Sequence, residues 1–460
     1  MSNKIITSVN PTNYEAVGKV DVSDEKEIIE KVENANKARK VWKDLGLQNR
    51  IKHLKQLVTL FNKRKNDLIR LITNQMGMPI TQSKFDIKSG LEFFNWYLNN
   101  AAKYLSPEII YKDNKIVQTV YYEPIGVAAV ITPWNFPFGN FVWGVGQNLI
   151  SGNTVVYKAS EECPLFGKLL EEIIKESGLP DGVFSEVYGY GEVGDFLARQ
   201  NINLISFTGS TKVGKYLYKL GGEKFIKVVC EMGGSAPGIV FHDADLNASI
   251  ESIYSNRFIN CGQMCDALKR LIVEEKIYDQ VVERLKNKLQ SVKVGDPTSE
   301  NTDIGPLVAK RQLELLESQV KDAIEKGAKV ICGGKRPDKM DGAFYEPTLL
   351  TNIKSDMRVW QEEVFGPVLP VRSFKTQEEA IEMANDTKYG LGSYVYTNNS
   401  QKALEVASQI DSGMVSINAA NYVSACSPFG GYKDSGIGRE HGKFGFADLT
   451  QVKVVATKVR

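Results

Sequence analysis

The chain has 460 residues, with 57 Lys and Arg against 55 Asp and Glu, for a formal net charge of +2. This balance excludes the concentrated positive charge of a nucleic-acid-binding surface, and 42% hydrophobic with 24% charged residues excludes long disordered regions. The length exceeds what one simple core supports and predicts two or three domains with clefts between them.

The N-terminal region is predicted to be helical. Ser23, followed by Asp24 and Glu25, is typical of a helix start, because its hydroxyl can accept free backbone N–H groups and the carboxylates complement the positive helix end. A second helical segment is predicted over about 47–76. One face of the first helix carries apolar residues, namely Ile28, Val32, Ala35 and Trp42.

The segment 124–157 contains no charged residue and is long enough to raise the question of a membrane span. We expect instead a buried strand, a turn and a buried helix, and no membrane association. The reason is a set of interrupting residues, Pro133, Asn135, Pro137, Gly139, Gly144 and Gly146.

From Gly126 onward, short β-rich runs alternate with segments of helical length. The first series comprises GVAAVI, TVVYK, FSEVYG, LISFTG and KVVCEM. A second series follows Ala236, with helices such as 278–292 between APGIVF, RLIVEE, AKVICGG, GSYVYT and GMVSIN. Because parallel strands need crossovers, each series predicts an α/β domain with a covered parallel sheet. Two other segments, KIVQTVYYE at 115–123 and QVKVVATKV near the end, predict a small antiparallel arm.

The six cysteines form neither a disulfide lattice nor a paired C-x-x-C metal set, which favours a reducing compartment. MSNKIITSVNPTN has no basic segment followed by an apolar stretch, so we expect no secretory signal and a cytoplasmic protein. From the cysteine spacing we also expect no metal site. Cys261 and Cys265 stand four residues apart in FINCGQMCDALKR. No histidine is near them in sequence, so nothing local indicates which thiol reacts.

Two glycine-rich turns are candidates for phosphate binding. GYGEVG at 189–194 matches G-x-G-x-x-G but lacks the acidic residue expected about 20 positions later, and a plain surface turn explains it equally. FTGSTKVGK offers Gly209 for the turn, hydroxyls from Ser210 and Thr211, and Gly214 for close packing. A pyrophosphate can rest at the N-terminus of the helix that follows. The alternative is a capped helix after a buried strand.

Seven motifs occur in order along the chain: TPWNFP, KASE, FTGSTKVG, CEMGG, NCGQMC, EEVFGP and PFGGYKDSGIGRE. Together they resemble the aldehyde dehydrogenase superfamily over essentially the whole chain. Three further segments are most similar to the short-form NAD(P)-dependent succinate-semialdehyde dehydrogenases: NQMGMPITQS, FNWYLNNAAKYL and CGQMCDALKRLIVEE.

The resemblance implies an α/β fold of three parts. A Rossmann-like cofactor-binding domain is expected from 1–112 and 125–231, and a second α/β catalytic domain from 232–424. A β-arm for oligomerisation is expected from 113–124 and 425–460. The resemblance also implies a homodimer or homotetramer that acts on a small aldehyde.

The resemblance selects Cys265, which follows Gly-Gln-x, as the nucleophile. It implies that the Asn135 amide and the Cys265 N–H stabilise the oxyanion, and that Glu231 activates the hydrolytic water. Taken singly, these residues have structural explanations: a small buried side chain, a turn residue between prolines, and a carboxylate at a strand end. We expect partial burial and a raised pKa for Glu231, as suits a general base.

The implied cofactor is NAD, with NADP possible. Lys158 and Glu161 are expected at the adenosine ribose, Ser210 at the pyrophosphate and Glu363 at the nicotinamide ribose. A carboxylate accepts ribose hydroxyls but repels a 2′-phosphate, so Glu161 favours NAD, whereas Lys158 acts in the opposite direction. The remaining predicted cofactor residues are Trp134, Thr208, Gly209, Gly214 and Phe365.

The substrate is predicted less directly. Longer-form succinate-semialdehyde dehydrogenases hold the substrate carboxylate with two arginines, and Trp143 and Ile259 occupy the matching positions here. Arg257 is nearby in sequence. It either takes the place of those arginines at the substrate carboxylate or has a structural role. Phe138, Trp143 and Phe429 predict an aromatic pocket. Succinate semialdehyde is the first expectation, and neutral aliphatic or aromatic aldehydes are the alternative.

Other classes of protein predict other residues. A coenzyme A-acylating relative would lack Glu231, a cysteine hydrolase would need a histidine in the site, and a non-catalytic nucleotide-binding protein would be expected to lose Cys265 or Asn135. Cys261 supports a second hypothesis, a reversible disulfide with Cys265 under oxidants. The alternative for Cys261 is a small residue in a packed loop.

Overall fold

The computed structural model describes residues 4–459. In chain order its strands are β1 Ile5–Val9, β2 Ala16–Asp21, β3 Glu108–Lys112, β4 Ile116–Pro124, β5 Val127–Ile131, β6 Thr154–Lys158, β7 Phe184–Glu186, β8 Leu204–Gly209, β9 Lys227–Met232, β10 Ala236–Val240, β11 Leu268–Glu274, β12 Lys329–Cys332, β13 Thr348–Thr351, β14 Val368–Phe374, β15 Tyr389–Gly390, β16 Gly392–Tyr396, β17 Met414–Ile417, β18 Tyr432–Lys433, β19 Gly436–Ile437 and β20 Thr450–Lys458. Its α-helices are α1 Glu25–Asp44, α2 Gly46–Lys63, α3 Lys65–Met76, α4 Ile80–Leu105, α5 Pro137–Phe141, α6 Gln147–Ser151, α7 Pro164–Glu176, α8 Gly191–Arg199, α9 Thr211–Lys224, α10 Leu246–Phe258, α11 Tyr278–Gln290, α12 Lys310–Glu325, α13 Arg358–Gln361, α14 Gln377–Asn385, α15 Ser400–Gln409 and α16 Gly442–Asp448.

The first sheet has the strand order β19-β9-β8-β5-β6-β7, and all its pairings are parallel except that of β19 with β9. The chain passes from β5 through β6 and β7 on one side before it returns to β8 on the other side. Such a reversal opens a crevice at the carboxyl ends of the strands, where ligands bind in open α/β sheets. The first predicted series of strands is confirmed.

The second sheet has the order β12-β13-β14-β11-β10-β16-β17, and only β12 runs antiparallel to its neighbour. Its central strands β10, β11 and β16 bury every side chain, as expected of a parallel sheet with both faces covered. The α/β fold class with a Rossmann-like first sheet is therefore confirmed.

A third sheet, β20-β4-β3, stands apart from both. The antiparallel partners β4 and β20 are those predicted for the arm, and they pair from Thr450 with Pro124 to Lys458 with Ile116. Backbone hydrogen bonds also pair β3 with β4, so this sheet begins at Glu108. Strand β19 at Gly436–Ile437 belongs to the first sheet, where it pairs with β9.

Helix α1 begins at Glu25, one residue later than a Ser23 cap would give. The cap is Asp24, whose carboxylate accepts the Glu27 N–H at 2.8 Å, whereas the Ser23 hydroxyl accepts the Tyr188 N–H from a distant loop. The predicted apolar face is buried, and it consists of Ile28, Val32, Ala35 and Trp42.

Two further helical segments refine the sequence interpretation. The stretch 47–76 forms α2 and α3, separated at Arg64, whose φ of −96° and ψ of 10° are not helical. The segment 124–157 forms β5, a turn, a buried helix from α5 through a π turn to α6, and β6, as predicted. Helix α4, to which the sequence assigned no element, packs along this buried helix. Within residues 4–459, no helix combines the length and apolar character needed to cross a bilayer.

Candidate active site

A cavity of about 540 Å³ opens where the carboxyl edge of the first sheet meets the segment preceding β11. The loops after β5 and β8 and the end of β9 supply one wall, and α4 and the helix after β5 supply another. Most of the predicted site residues line it together: Trp134, Asn135, Trp143, Thr208, Gly209, Ser210, Glu231, Cys265, Glu363, Phe365 and Phe429.

The segment before Cys265 is backbone-strained. Asn260, Cys261 and Gly262 are consecutive residues in the left-handed region, with φ of 52°, 54° and 73°. The Asn260 side-chain amide donates to the Asn135 main-chain carbonyl at 2.7 Å. The Asn135 side-chain amide donates to the Gln263 main-chain carbonyl at 3.2 Å. These reciprocal bonds hold the nucleophile segment against the loop that carries the predicted oxyanion donor.

Arg257 stabilises the same segment from behind. Its buried guanidinium donates to four backbone carbonyls, those of Gly262, Val364, Gly366 and Val368, and burial lowers its pKa to about 9. Arg257 does not line the cavity. Its position therefore supports the structural alternative, because its donors are already used.

The Asn135 side chain is buried, with 6% of its surface exposed. Its side-chain oxygen Oδ1 accepts a 3.1 Å hydrogen bond from the side-chain amide of Asn140, which lies in α5. Since that bond occupies the oxygen, the Asn135 amide nitrogen is oriented toward the Cys265 segment.

Burial raises the pKa of the Cys265 thiol well above its ordinary value, and the neighbouring Asp266 carboxylate adds to the effect, whereas the Lys269 ammonium opposes it. Lys269 is fully buried, and it donates to the carbonyls of Cys265 at 2.7 Å and Gly234 at 2.8 Å and to the Glu363 carboxylate at 2.6 Å. The sequence interpretation missed Lys269. A charged residue within the buried strand run ALKRLIVEE was the available signal.

Glu231 lies near the end of β9 with 3% of its surface exposed. Burial, followed by the nearby Glu440 carboxylate, raises the pKa of Glu231 well above its ordinary value. The predicted burial and raised pKa are therefore confirmed in direction, and the burial is nearly complete. Gly430 leaves room for the carboxylate, since a Cβ there would lie 2.6 Å from Glu231 Oε1. Glu440, which the sequence interpretation missed, lines the cavity, and burial raises its pKa to about 7.

The FTGSTKVGK segment forms the predicted strand, turn and helix. Ser210 is the N-cap of α9, and its hydroxyl accepts the Val213 N–H at 3.5 Å. Gly209 and Ser210 line the cavity, so the positive end of α9 lies beside it. Gly214 lies outside the cavity and packs on β9, where a Cβ would stand 2.2 Å from the Met232 sulfur. Gly214 therefore provides the predicted close packing, but it does not form part of the cavity wall.

Lys158 and Glu161 lie at the carboxyl end of β6, the next strand along the edge, and neither lines the cavity. The Lys158 ammonium is 3.7 Å from the Glu161 carboxylate. In GYGEVG, Gly189 and Tyr190 precede α8 and the other four residues form its first turn, and a Cβ at Gly194 would lie 3.4 Å from the Lys158 side chain. These residues lie further along the same edge of the sheet, beyond the cavity.

An aromatic wall, defined as Phe93, Trp143 and Phe429, closes one side of the cavity. The ring centroid of Trp143 is 5.6 Å from that of Phe93 and 5.6 Å from that of Phe429. Behind this wall, His441 is fully buried and contacts Trp143 at 4.6 Å between ring centroids, and burial lowers the pKa of His441 to about 3. Phe93 comes from α4 and was not predicted.

Phe138 does not lie in the cavity wall, in contrast to the prediction. It is fully buried, with its ring edge-on to Phe61 at 5.3 Å and against Gly90 of α4. Phe138 misses the cavity because of its position around the helix. Residues 136, 139, 140 and 143 lie on one face at helical spacing, and that face lines the cavity. Residue 138 projects from another face into the core.

Known proteins resemble this chain over almost its full length. A profile of the aldehyde dehydrogenase family matches residues 1–455. The glutarate-semialdehyde dehydrogenase of Pseudomonas aeruginosa is 37% identical over 96% of this chain and 92% of its own length. The NADP(+) succinate-semialdehyde dehydrogenase of Escherichia coli is 34% identical over 98% of this chain and 94% of its own.

A solved structure of betaine aldehyde dehydrogenase from Staphylococcus aureus in complex with NAD+ superposes with a TM-score of 0.94. The two proteins are 32% identical, and the match covers 99% of this chain and 91% of the other. Together with the family profile and the identities above, this shows that the chain belongs to the aldehyde dehydrogenase family.

Proposed function

We propose that the protein oxidises an aldehyde to a carboxylic acid, with NAD or NADP as oxidant and Cys265 as the covalent nucleophile. The observation that supports this most is the convergence of Cys265, Asn135, Glu231 and the start of α9 on one cavity. The direct test is aldehyde-dependent formation of reduced cofactor by the purified protein, with equimolar carboxylic acid as the second product. Absence of both products over a broad aldehyde panel would contradict the proposal.

The chemistry follows from the order of these groups. The Cys265 thiolate attacks the carbonyl carbon, a C–S bond forms, and the carbonyl oxygen takes the negative charge. The Asn135 amide and the Cys265 N–H are the proposed donors to that oxygen. When bound, the nicotinamide cofactor accepts the hydride from the substrate carbon. Glu231 then removes a proton from a water molecule that attacks the resulting thioester, which releases the acid and the Cys265 thiolate.

Asn135→Ala is expected to lower kcat about 100-fold or more, because one of two oxyanion donors is removed. Steady-state kinetics with a saturating aldehyde measure the effect. Asn95→Ala, on the exposed side of α4, is the matched control and is expected to retain wild-type kcat. A kcat for Asn135→Ala close to that of the control would remove Asn135 from the mechanism.

The residues present fit a nicotinamide dinucleotide. The free N–H groups of α9 and the Ser210 hydroxyl suit the pyrophosphate, and α9 carries no acid in its first turn that would repel it. Lys158 and Glu161 suit the adenosine ribose further along the edge. Glu363 is proposed to hold the nicotinamide ribose, and its carboxylate is already fixed by the Lys269 ammonium and the Gly234 N–H at 3.1 Å.

NAD is expected to give a higher kcat/KM than NADP, because the Glu161 carboxylate repels a 2′-phosphate. In Glu161→Gln the preference for NAD is expected to shrink about tenfold, which corresponds to one unit charge at a partly exposed site. The measurement is kcat/KM for both cofactors with one aldehyde at fixed ionic strength. A wild-type preference for NADP would contradict the assignment of Glu161.

Succinate semialdehyde was the first expectation for the substrate, from the sequence resemblance. The cavity supports that assignment less than the alternative: Trp143 and Ile259 line it where the longer-form enzymes place arginines, and Arg257 is bound to backbone carbonyls. The aromatic wall supports neutral aliphatic or aromatic aldehydes. We therefore place substrates without a carboxylate ahead of succinate semialdehyde.

We also propose a homodimer or homotetramer. Its support is the arm sheet, which exposes apolar side chains that include Ile109, Tyr121, Val452 and Val454. A cytoplasmic location is proposed on the six free thiols, which a reducing compartment would preserve.

A further inference from the structure

The residues of charged type that line the cavity are all acidic. Among residues 4–459, no Lys, Arg or His lines it, whereas five carboxylates do: Asp86, Glu231, Asp266, Glu363 and Glu440. No group of three or more His, Cys, Asp or Glu in the described chain is arranged to hold a metal ion. Burial raises the pKa of Asp86 and of Glu440 to about 7 and that of Glu231 well above its ordinary value, so the five acids differ in the charge that they carry at neutral pH.

Four of the five carboxylates have a role already. Asp86 accepts the Phe138 and Gly139 N–H groups at 3.1 and 3.0 Å. Glu363 is bound to Lys269. Glu231, the proposed base for hydrolysis, and Glu440 are buried near each other, and burial raises the pKa of both.

Asp266 differs from these four in its contacts, although burial raises its pKa as well, with the Lys269 ammonium opposing that effect. It lines the cavity directly after Cys265 and is partly exposed there. Within the described residues it forms no ion pair, because the nearby Lys269 ammonium is engaged by Glu363 and two carbonyls. Tyr422 Oη is its one side-chain donor, 3.2 Å from Asp266 Oδ2. A carboxylate accepts about four hydrogen bonds, so most of its capacity is open to the cavity.

Two tyrosines hold this carboxylate in place. The Tyr422 hydroxyl is 2.9 Å from the Tyr394 hydroxyl, and Tyr394 donates to the Asp266 main-chain carbonyl at 3.0 Å. Tyr394 is buried, with 3% of its surface exposed. Asp266 is thus a pre-positioned acceptor beside the nucleophile and not a mobile surface acid.

We propose that Asp266 recognises an ammonium group on the substrate tail, so that short ω-amino aldehydes are the preferred substrate class. This inference rests on the proposed function and names the substrate of the same cavity. Because Asp266 and Cys265 are adjacent, with Cα atoms about 3.8 Å apart, and both line the cavity, we expect an ammonium on a short tail to meet the carboxylate while the carbonyl meets the sulfur. The aromatic wall also suits a cation, through the negative faces of its rings.

Binding of an ammonium would also act on the nucleophile. The Asp266 carboxylate raises the pKa of the Cys265 thiol, and a cation paired with Asp266 offsets that effect and favours the thiolate. A carboxylate tail, by contrast, meets like charge with no cation to compensate it. The order of preference expected is therefore amino aldehyde, neutral aldehyde, then carboxylate-bearing aldehyde.

The test compares three aldehydes of similar length: 3-aminopropanal, butanal, in which a methyl group replaces the ammonium, and succinate semialdehyde. Wild-type kcat/KM is expected to be about tenfold or more higher for 3-aminopropanal than for butanal, and lowest for succinate semialdehyde. In Asp266→Asn the ratio of 3-aminopropanal to butanal is expected to fall about tenfold or more. Asp243→Asn, whose carboxylate binds Thr397 away from the cavity, is expected to keep the wild-type ratio.

Tyr422→Phe provides a second variant if Asp266→Asn does not fold, and its ratio is expected to fall about threefold because Asp266 loses its orienting donor. A wild-type ratio of one or less, or a ratio unchanged in Asp266→Asn, overturns the inference. If wild type oxidises butanal but shows no preference for the amino aldehyde, the inference alone fails. If wild type oxidises none of the three but oxidises another aldehyde of the broad panel, the inference alone fails, and if it oxidises no aldehyde at all, the proposed function fails with it.

Discussion

Cys265→Ala is expected to lower kcat by about ten-thousand-fold or more, because it removes the thiol that forms the covalent bond to the substrate carbon. Cofactor binding is expected to persist, since the start of α9 and Glu363 are unchanged. The measurement is aldehyde-dependent formation of reduced cofactor, together with a cofactor titration of the same variant.

Cys261→Ala is the matched control for that experiment, and its kcat is expected to stay within a few-fold of wild type. Cys261 is 1% exposed and does not line the cavity, whereas Cys265 does, so a substrate in the cavity meets Cys265 and not Cys261. The same burial weakens the hypothesis of an oxidant-sensitive Cys261–Cys265 disulfide. A large loss in Cys261→Ala with activity retained in Cys265→Ala would reverse the assignment of the nucleophile.

Glu231→Gln is expected to lower steady-state turnover by about 100-fold to 10,000-fold while the first turnover proceeds. The glutamine has the same shape but cannot remove a proton from water, so the thioester accumulates. Rapid mixing should show a burst of reduced cofactor equal to the concentration of active sites, followed by a slow phase. A loss of the burst together with the slow phase would place Glu231 before hydride transfer instead.

The pH dependence of the hydrolytic step follows from the raised pKa of Glu231. A base acts when it is ionised, so the rate of thioester hydrolysis is expected to rise with pH through that raised pKa, above the range of an ordinary carboxylate. In Glu231→Gln this limb should disappear. A wild-type limb at the ordinary carboxylate pKa would show that burial does not tune this residue.

The fold was predictable where local pattern and burial agree. The first series of β-rich runs supplied five of the six strands of the first sheet, and the second series supplied five of the seven strands of the second sheet, because β-branched residues bounded by glycines suit buried strands. The sequence interpretation missed β13, β14 and β19. The α1 cap was not predictable to the residue, since Ser23 and Asp24 are both good cap formers. A hydrogen bond from the distant Tyr188 N–H occupies the Ser23 hydroxyl, and such a contact leaves no sequence signal.

The site was predictable where motifs follow strand ends. Asn135, Ser210 and Glu231 lie at the carboxyl edge of neighbouring strands, so the topology brings them together. Phe138 was assigned to the wrong face, because sequence proximity to Asn135 does not fix the helical phase. Residues supplied by distant segments, such as Phe93 and Glu440, reach the cavity only through tertiary packing, which no local pattern reveals.

Intact-protein mass spectrometry of Glu231→Gln, mixed with NAD and butanal, tests the central claim most directly. The protein is expected to gain the mass of one butanoyl group, and peptide mapping is expected to locate that group on the peptide containing Cys265. An acyl group on another residue, or a full burst of reduced cofactor with no covalent adduct, would contradict covalent catalysis at Cys265.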